Sequence, residues 1–128
     1  MLFSPGVVWV ASKSIVTWKA TDKTHNVAFI ENGIPNGVPL FDSPYSQDVS
    51  YTFTVPGIYF YKCTSHFPMG MLGIVVVDAD LSNLAAIKAL ALPPLAAKKR
   101  DQLVAQVLLE SKAKASNPPA DAVPSKSP

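Results

Sequence analysis

Short runs of β-branched and aromatic residues, separated by polar breaks, dominate the chain as far as Val77. Val7-Val-Trp-Val10 and Ile15-Val-Thr-Trp18, either side of Ala11-Ser-Lys-Ser14, read as strand, turn, strand, both in a sheet. Asn26-Val-Ala-Phe-Ile30 is a third strand, and the Gly and Pro spacing of Glu31 to Pro39 marks an irregular loop with no helix. Val49-Ser-Tyr-Thr-Phe-Thr54 alternates with period two, Pro56-Gly57 supplies a turn, and Ile58 to Lys62 follows, which is the pattern of a β-hairpin. Leu72-Gly-Ile-Val-Val-Val77 is a continuous apolar run of the kind buried inside a sandwich. Six short strands at near-regular spacing predict a β-sandwich.

After Asp78-Ala-Asp80 the period changes. Ser82 offers a cap to a short helix running to Ala91, and Pro93-Pro94 breaks it. Leu95 to Ala113 predicts a longer helix, with Leu103, Val107 and Leu108 facing the core and Lys98, Lys99, Arg100 and Glu110 facing water. It should pack back on the sandwich. Ser116 to Pro128 carries four Pro among Ser, Ala and Lys and reads as a disordered tail.

At 128 residues the chain is long enough for one core. With 48% hydrophobic and 16% charged residues it is not broadly disordered, and no apolar run approaches the roughly 18 residues that would span a bilayer. A net charge of +2 without a dense basic patch excludes a nucleic-acid partner, while leaving a mildly basic face for an acidic protein. A single Cys excludes an internal disulfide framework. The lone thiol therefore needs another explanation.

That explanation lies in Cys63-Thr-Ser-His66-Phe-Pro-Met69-Gly-Met71, where nine residues hold a thiolate, an imidazole and two thioethers. Donors this soft suit copper, and Cys63 and His66, three apart on a tight loop, can reach one ion, with a Met supplying a long axial bond. His25, in Thr24-His25-Asn26-Val27, completes the set from a separate strand. Plain chemistry allows either Met69 or Met71. Taken alone, Cys63 would more often be a small buried hydrophobe, but the company it keeps argues against that. A Cys63 and His66 nucleophile pair would need an oxyanion hole and a supporting acid that are not legible, and it gives the thioethers no role. Storage or delivery of copper without redox turnover is the alternative to electron transfer. Trp9, Trp18, Phe29, Phe53 and Phe60 read as packing residues.

Together, Thr21-Asp-Lys-Thr-His25-Asn-Val27, Gly33-Ile-Pro-Asn-Gly37, Val55-Pro-Gly-Ile-Tyr59, Lys62 to Met71 and the two terminal helices resemble the cupredoxins, and within them the pseudoazurins, over residues 1 to about 112. The resemblance implies an all-β fold, a Greek-key cupredoxin β-sandwich over residues 1–80, with two C-terminal α-helices (81–115) as an extension of the same domain and a tail at 116–128. It implies a monomeric type 1 copper electron carrier, not an enzyme, holding one copper ion through His25, Cys63, His66 and Met71. Met71 is favoured because the strand from Leu72 would anchor it and because its register resembles the long-loop form. A shorter-loop, amicyanin-like arrangement would use Met69 instead.

By the same resemblance the protein is periplasmic and passes electrons to a nitrite reductase-like acceptor or a cytochrome docking at the His66 face, ringed by Phe67, Pro68 and Met69. Lys23 and Lys62 match lysines that meet acidic partners, and His25 is expected to be buried. Asn26 is expected to aim its backbone N–H at the Cys63 sulfur and to tie the His25 strand to the ligand loop. Two departures stand out. One strand and a signal peptide normally precede the segment starting at Met1, so the chain is expected to be N-terminally incomplete, with an unpaired sheet edge. Ser65 also stands where the family usually has Pro.

Overall fold

The computed structural model describes Phe3, residues 6–19 and residues 25–116, the last three by their backbone only. The tail expected from Ser116 thus falls, beyond that residue, outside the described region, as does Lys23. A four-stranded sheet has the order β1 (Val7–Val10), β6 (Leu72–Val77), β5 (Gly57–Lys62), β3 (Ala28–Phe29). The second sheet pairs β2 (Ser14–Trp18) with β4 (Val49–Phe53). β1 runs parallel to β6, and the other pairs are antiparallel.

Alternation of side chains explains the layering. Val8, Val10, Tyr59, Tyr61, Val75 and Val77 point from the first sheet into one core, where they meet Val16, Trp18, Val49 and Phe53 of the second. Ile58, Phe60, Ile74 and Val76 point the other way, onto Ile87, Leu103, Val104 and Val107 of the helices. Both faces of β5 and β6 are therefore covered, which is why their sequences are apolar almost throughout. β4 has only one covered face and keeps its period of two.

The expected hairpin does not form. β4 belongs to one sheet and β5 to the other, because the corner at Pro56-Gly57 carries the chain across the core instead of reversing it within a sheet. Gly57 takes φ +134°, and Tyr59 Oη donates to the Val55 carbonyl at 2.7 Å, fixing the corner. β1 and β2 are likewise divided between sheets by their turn, since Val10 and Val16 enter the same core from opposite sides. The third strand is shorter than expected, at Ala28–Phe29.

The helices are α1 (Leu84–Lys88) and α2 (Pro94–Ser116). α1 is shorter than its pattern suggests, and its leading residue is Asn83, whose amide bonds both the N–H (2.9 Å) and C=O (2.8 Å) of Ile58. Pro94 opens α2, where its missing N–H costs nothing. Two residues depart from expectation on α2. Arg100 is only 8% exposed, and its Nη1 donates to the carbonyls of Ile87 (3.1 Å) and Leu90 (3.0 Å), satisfying the end of α1. Leu108 is exposed, while Val104 takes the core position. Glu110 accepts from Trp9 Nε1 at 2.6 Å and so ties α2 to β1. Among the described residues no helix is long and apolar enough to cross a membrane.

Candidate metal centre

The β5–β6 ladder runs to Lys62↔Leu72, and one step further Cys63 N–H donates to the Met71 carbonyl at 3.0 Å. Cys63 and Met71 thus face each other at the base of the connecting segment, both buried in the core between the sheets. Directly opposed residues of an antiparallel pair project to the same face, about 5 Å apart at Cβ. Met69, by contrast, is 58% exposed.

The segment between them is a 3-10 helix, Thr64–Met69, where a plain loop was expected. His66 N–H bonds the Cys63 carbonyl at 3.2 Å, and Gly70 closes the turn at φ +90°, its N–H reaching Phe67 O at 2.9 Å. A left-handed residue is needed there, and Gly supplies it without strain. The chain passes close to α2 at this point: a Cβ on Gly70 would lie 3.4 Å from Leu95 O and 3.5 Å from Lys99 Cβ.

Winding this turn brings His66 Nδ1 to 3.6 Å from Cys63 Sγ. Donors bound about 2.0 and 2.3 Å from one ion lie roughly 3.5–3.7 Å apart at trigonal or tetrahedral angles, so this pair is already at ligand spacing. The His25 ring stands edge to face with the His66 ring, centroids 4.7 Å apart. Among the described residues no three His, Cys, Asp or Glu side chains already converge on one point; the fit rests on the Cys63–His66 pair, with His25 against it and the Met71 thioether opposite Cys63. Both imidazoles are partly buried, so the expected contrast between a buried His25 and an open His66 is not seen.

Asn26 joins the two segments. Its Oδ1 accepts the Thr64 N–H at 2.8 Å, and its Nδ2 donates to Thr64 Oγ1 (3.1 Å), Asp42 Oδ1 (3.0 Å) and the Ser43 carbonyl (3.4 Å). Ser43 Oγ in turn accepts the Val27 N–H at 2.8 Å. Sequence reasoning missed Asp42 and Ser43, on a loop that folds back beside β3 through the Ala28↔Asp42 bridge, and Thr64, which opens the 3-10 helix. Ser65 Oγ lies 3.5 Å from Cys63 Sγ and 3.1 Å from His66 Nδ1. Lys62 Nζ sits 4.7 Å from the centre of the Phe67 ring, held over its face at the rim of the site.

A two-sheet sandwich with a buried cysteine beside two imidazoles fits a small copper-binding protein. Residues 1–78 match the model of the copper-binding proteins of the plastocyanin/azurin family. The chain is 39% identical to pseudoazurin of Paracoccus pantotrophus over 107 residues, covering 84% of this chain and 74% of that one. Its fold superposes on the crystal structure of pseudoazurin from Methylobacterium extorquens AM1 with a TM-score of 0.80 at 34% identity, covering 84% and 87% of the two chains. For native pseudoazurin from Hyphomicrobium denitrificans the TM-score is 0.77 at 34% identity, with coverage of 83% and 85%. The chain belongs to the plastocyanin/azurin family of copper-binding proteins and, within it, to the pseudoazurins. It has the cupredoxin fold, holds one copper ion and is a blue-copper electron-transfer protein.

Proposed function

We propose that His25, Cys63, His66 and Met71 are the copper ligands and that the protein carries one electron at a time to an acceptor docking over His66, without itself being an enzyme. The observation that carries this reading is the Cys63 Sγ–His66 Nδ1 distance of 3.6 Å at the foot of a ladder that sets Met71 opposite Cys63. Bound copper supplies the one-electron couple. The protein's part is to hold its donors still, so that little reorganises when the charge changes. β5 and β6 fix Cys63 and Met71, the 3-10 turn fixes His66, and Asn26 locks the His25 segment to Thr64.

Exposed Pro68 and Met69, with Phe67 partly exposed, surround His66 with an apolar face suited to brief contact with a partner. Lys62, steadied over Phe67, sets a positive charge at its rim and would speed encounter with an acidic surface in a salt-dependent way. The acceptor is a nitrite reductase-like enzyme or a cytochrome, and the carrier works as a monomer in the periplasm.

Reconstitution with Cu(II) tests the ligand set. The native chain and Met69→Leu should give an intense thiolate charge-transfer band, whereas Cys63→Ser should abolish it and Met71→Leu should shift both band and potential. A weakly absorbing native adduct, or a Met69→Leu spectrum altered where Met71→Leu is not, would overturn the assignment.

A further inference from the structure

Ser65 stands in the first turn of the 3-10 helix, with its Oγ within reach of both Cys63 Sγ (3.5 Å) and His66 Nδ1 (3.1 Å). In the arrangement seen here the hydroxyl bridges the two donors, and either neighbour could complete the bond. Metal loading removes that freedom. A ligating thiolate has lost its proton, and an Nδ1 whose lone pair is committed can neither donate nor accept, so only the hydroxyl still has a hydrogen to give. The sulfur, with lone pairs to spare, is an acceptor already within its reach at 3.5 Å. We propose that the Ser65 hydroxyl donates to the Cys63 thiolate in the copper-loaded protein and raises its reduction potential; this rests on Cys63 and His66 being ligands.

The sign follows from where the charge sits. Sulfur gives up electron density to Cu(II) and keeps more of it opposite Cu(I), so a donor aimed at sulfur stabilises the reduced state more. Cys63 is fully buried, which strengthens any hydrogen bond it accepts. Ser65 is thus a positioning residue that acts through Cys63. Before loading, the same hydroxyl holds Sγ and Nδ1 near each other at ligand spacing.

Three variants separate the hydroxyl from the backbone. Ser65→Ala keeps the N–H and loses Oγ, Ser65→Thr keeps both, and Ser65→Pro loses both. Voltammetry of copper-loaded Ser65→Ala should show a lower potential, equivalent to a roughly tenfold shift in its electron-exchange equilibrium with a one-electron mediator, or about 59 mV. Its thiolate-to-Cu(II) band should move to longer wavelength. Ser65→Thr should restore both, and Ser65→Pro should lie at least as low as Ala. In the metal-free protein the 15N shift of His66 Nδ1 should change in Ala and return in Thr. An Ala variant with unchanged potential and band, or a loss confined to Pro, would overturn the proposal. A native adduct lacking the intense band would overturn the ligand assignment and this proposal with it.

Discussion

Asn26→Ala is the sharpest test of how the two halves of the metal site are joined. The substitution deletes the acceptor of the Thr64 N–H at 2.8 Å and the donor to Thr64 Oγ1, Asp42 Oδ1 and Ser43 O. Asn26 is 4% exposed, so water does not simply take its place. A net hydrogen bond contributes about 1 kcal/mol, and one to a carboxylate somewhat more. Thr64 and Asp42 lie at the surface and recover part of their loss from solvent, and the weak 3.4 Å contact adds little. The sum is roughly 3 kcal/mol. Urea unfolding of the metal-free protein, followed by Trp fluorescence, should show the midpoint falling by roughly 1.5 M for a slope of about 2 kcal/mol/M, with the slope unchanged. Copper-loaded Asn26→Ala should also exchange electrons more slowly with a mediator, because the His25 and Cys63 segments no longer move as one body. A loss below about 1 kcal/mol, with an unaltered exchange rate, would refute the view that this amide is the clamp.

Other outcomes follow from single residues. Burial pushes the Tyr61 pKa up to about 12 from 10.0, against a hydrogen bond from Trp18 that lowers it, and burial does the same to Tyr59. A phenol that ionises later in the folded state adds stability that is complete below pH 10 and lost as pH climbs toward 12; denaturant titrations should show Tyr61 contributing about 2–3 kcal/mol of that fall, absent in Tyr61→Phe. Gly73→Ala would place a Cβ 2.4 Å from the Tyr61 ring, its ladder partner, so the melting temperature should drop sharply; an unchanged value would mean the ring moves aside freely. Arg100→Ala removes the guanidinium donor shared by the Ile87 and Leu90 carbonyls, leaving Ile87 O with the Leu90 N–H at 3.3 Å, and should cost about 2 kcal/mol in thermal unfolding, against less than about 0.5 kcal/mol for exposed Lys98→Ala.

The strands were legible because β-branched runs are local signals, and the helices because Pro94 and the change of period mark them. Pairing was not, since nothing in Val49 to Lys62 distinguishes a corner that crosses the core from a turn that stays in one sheet; Tyr59 bonding Val55 decides it, and that contact exists only once folded. Arg100 looked like a surface charge because its partners are carbonyls of another helix, which have no sequence signature. The stretch from Cys63 to Met71 marked the candidate site, with Met69 and Met71 both open on spacing alone, and His25 followed as the chain's other imidazole. Asp42 and Ser43 stayed hidden, being ordinary loop residues until Ala28 and Asp42 meet. That Ser65 replaces a Pro is visible in the sequence, whereas the approach of its hydroxyl to Cys63 Sγ exists only in the fold.

The antiparallel ladder beneath Cys63 and Met71 bears on the order of events during folding. β5 and β6 are joined by a short turn, so closing them costs little chain entropy and requires no other part of the molecule. His25 arrives only when β3 docks beside β5, and the parallel partner of β6 comes from the start of the chain, as Val7 meets Ile74. Such long-range pairing is slow. A refolding chain would therefore bring Cys63, His66 and Met71 together before His25 reaches them, a partial set of soft donors of the kind that suits Cu(I). With the proposed ligands, paired β5 and β6 would then already offer Cu(I) three of its four donors, and the sandwich would add the fourth.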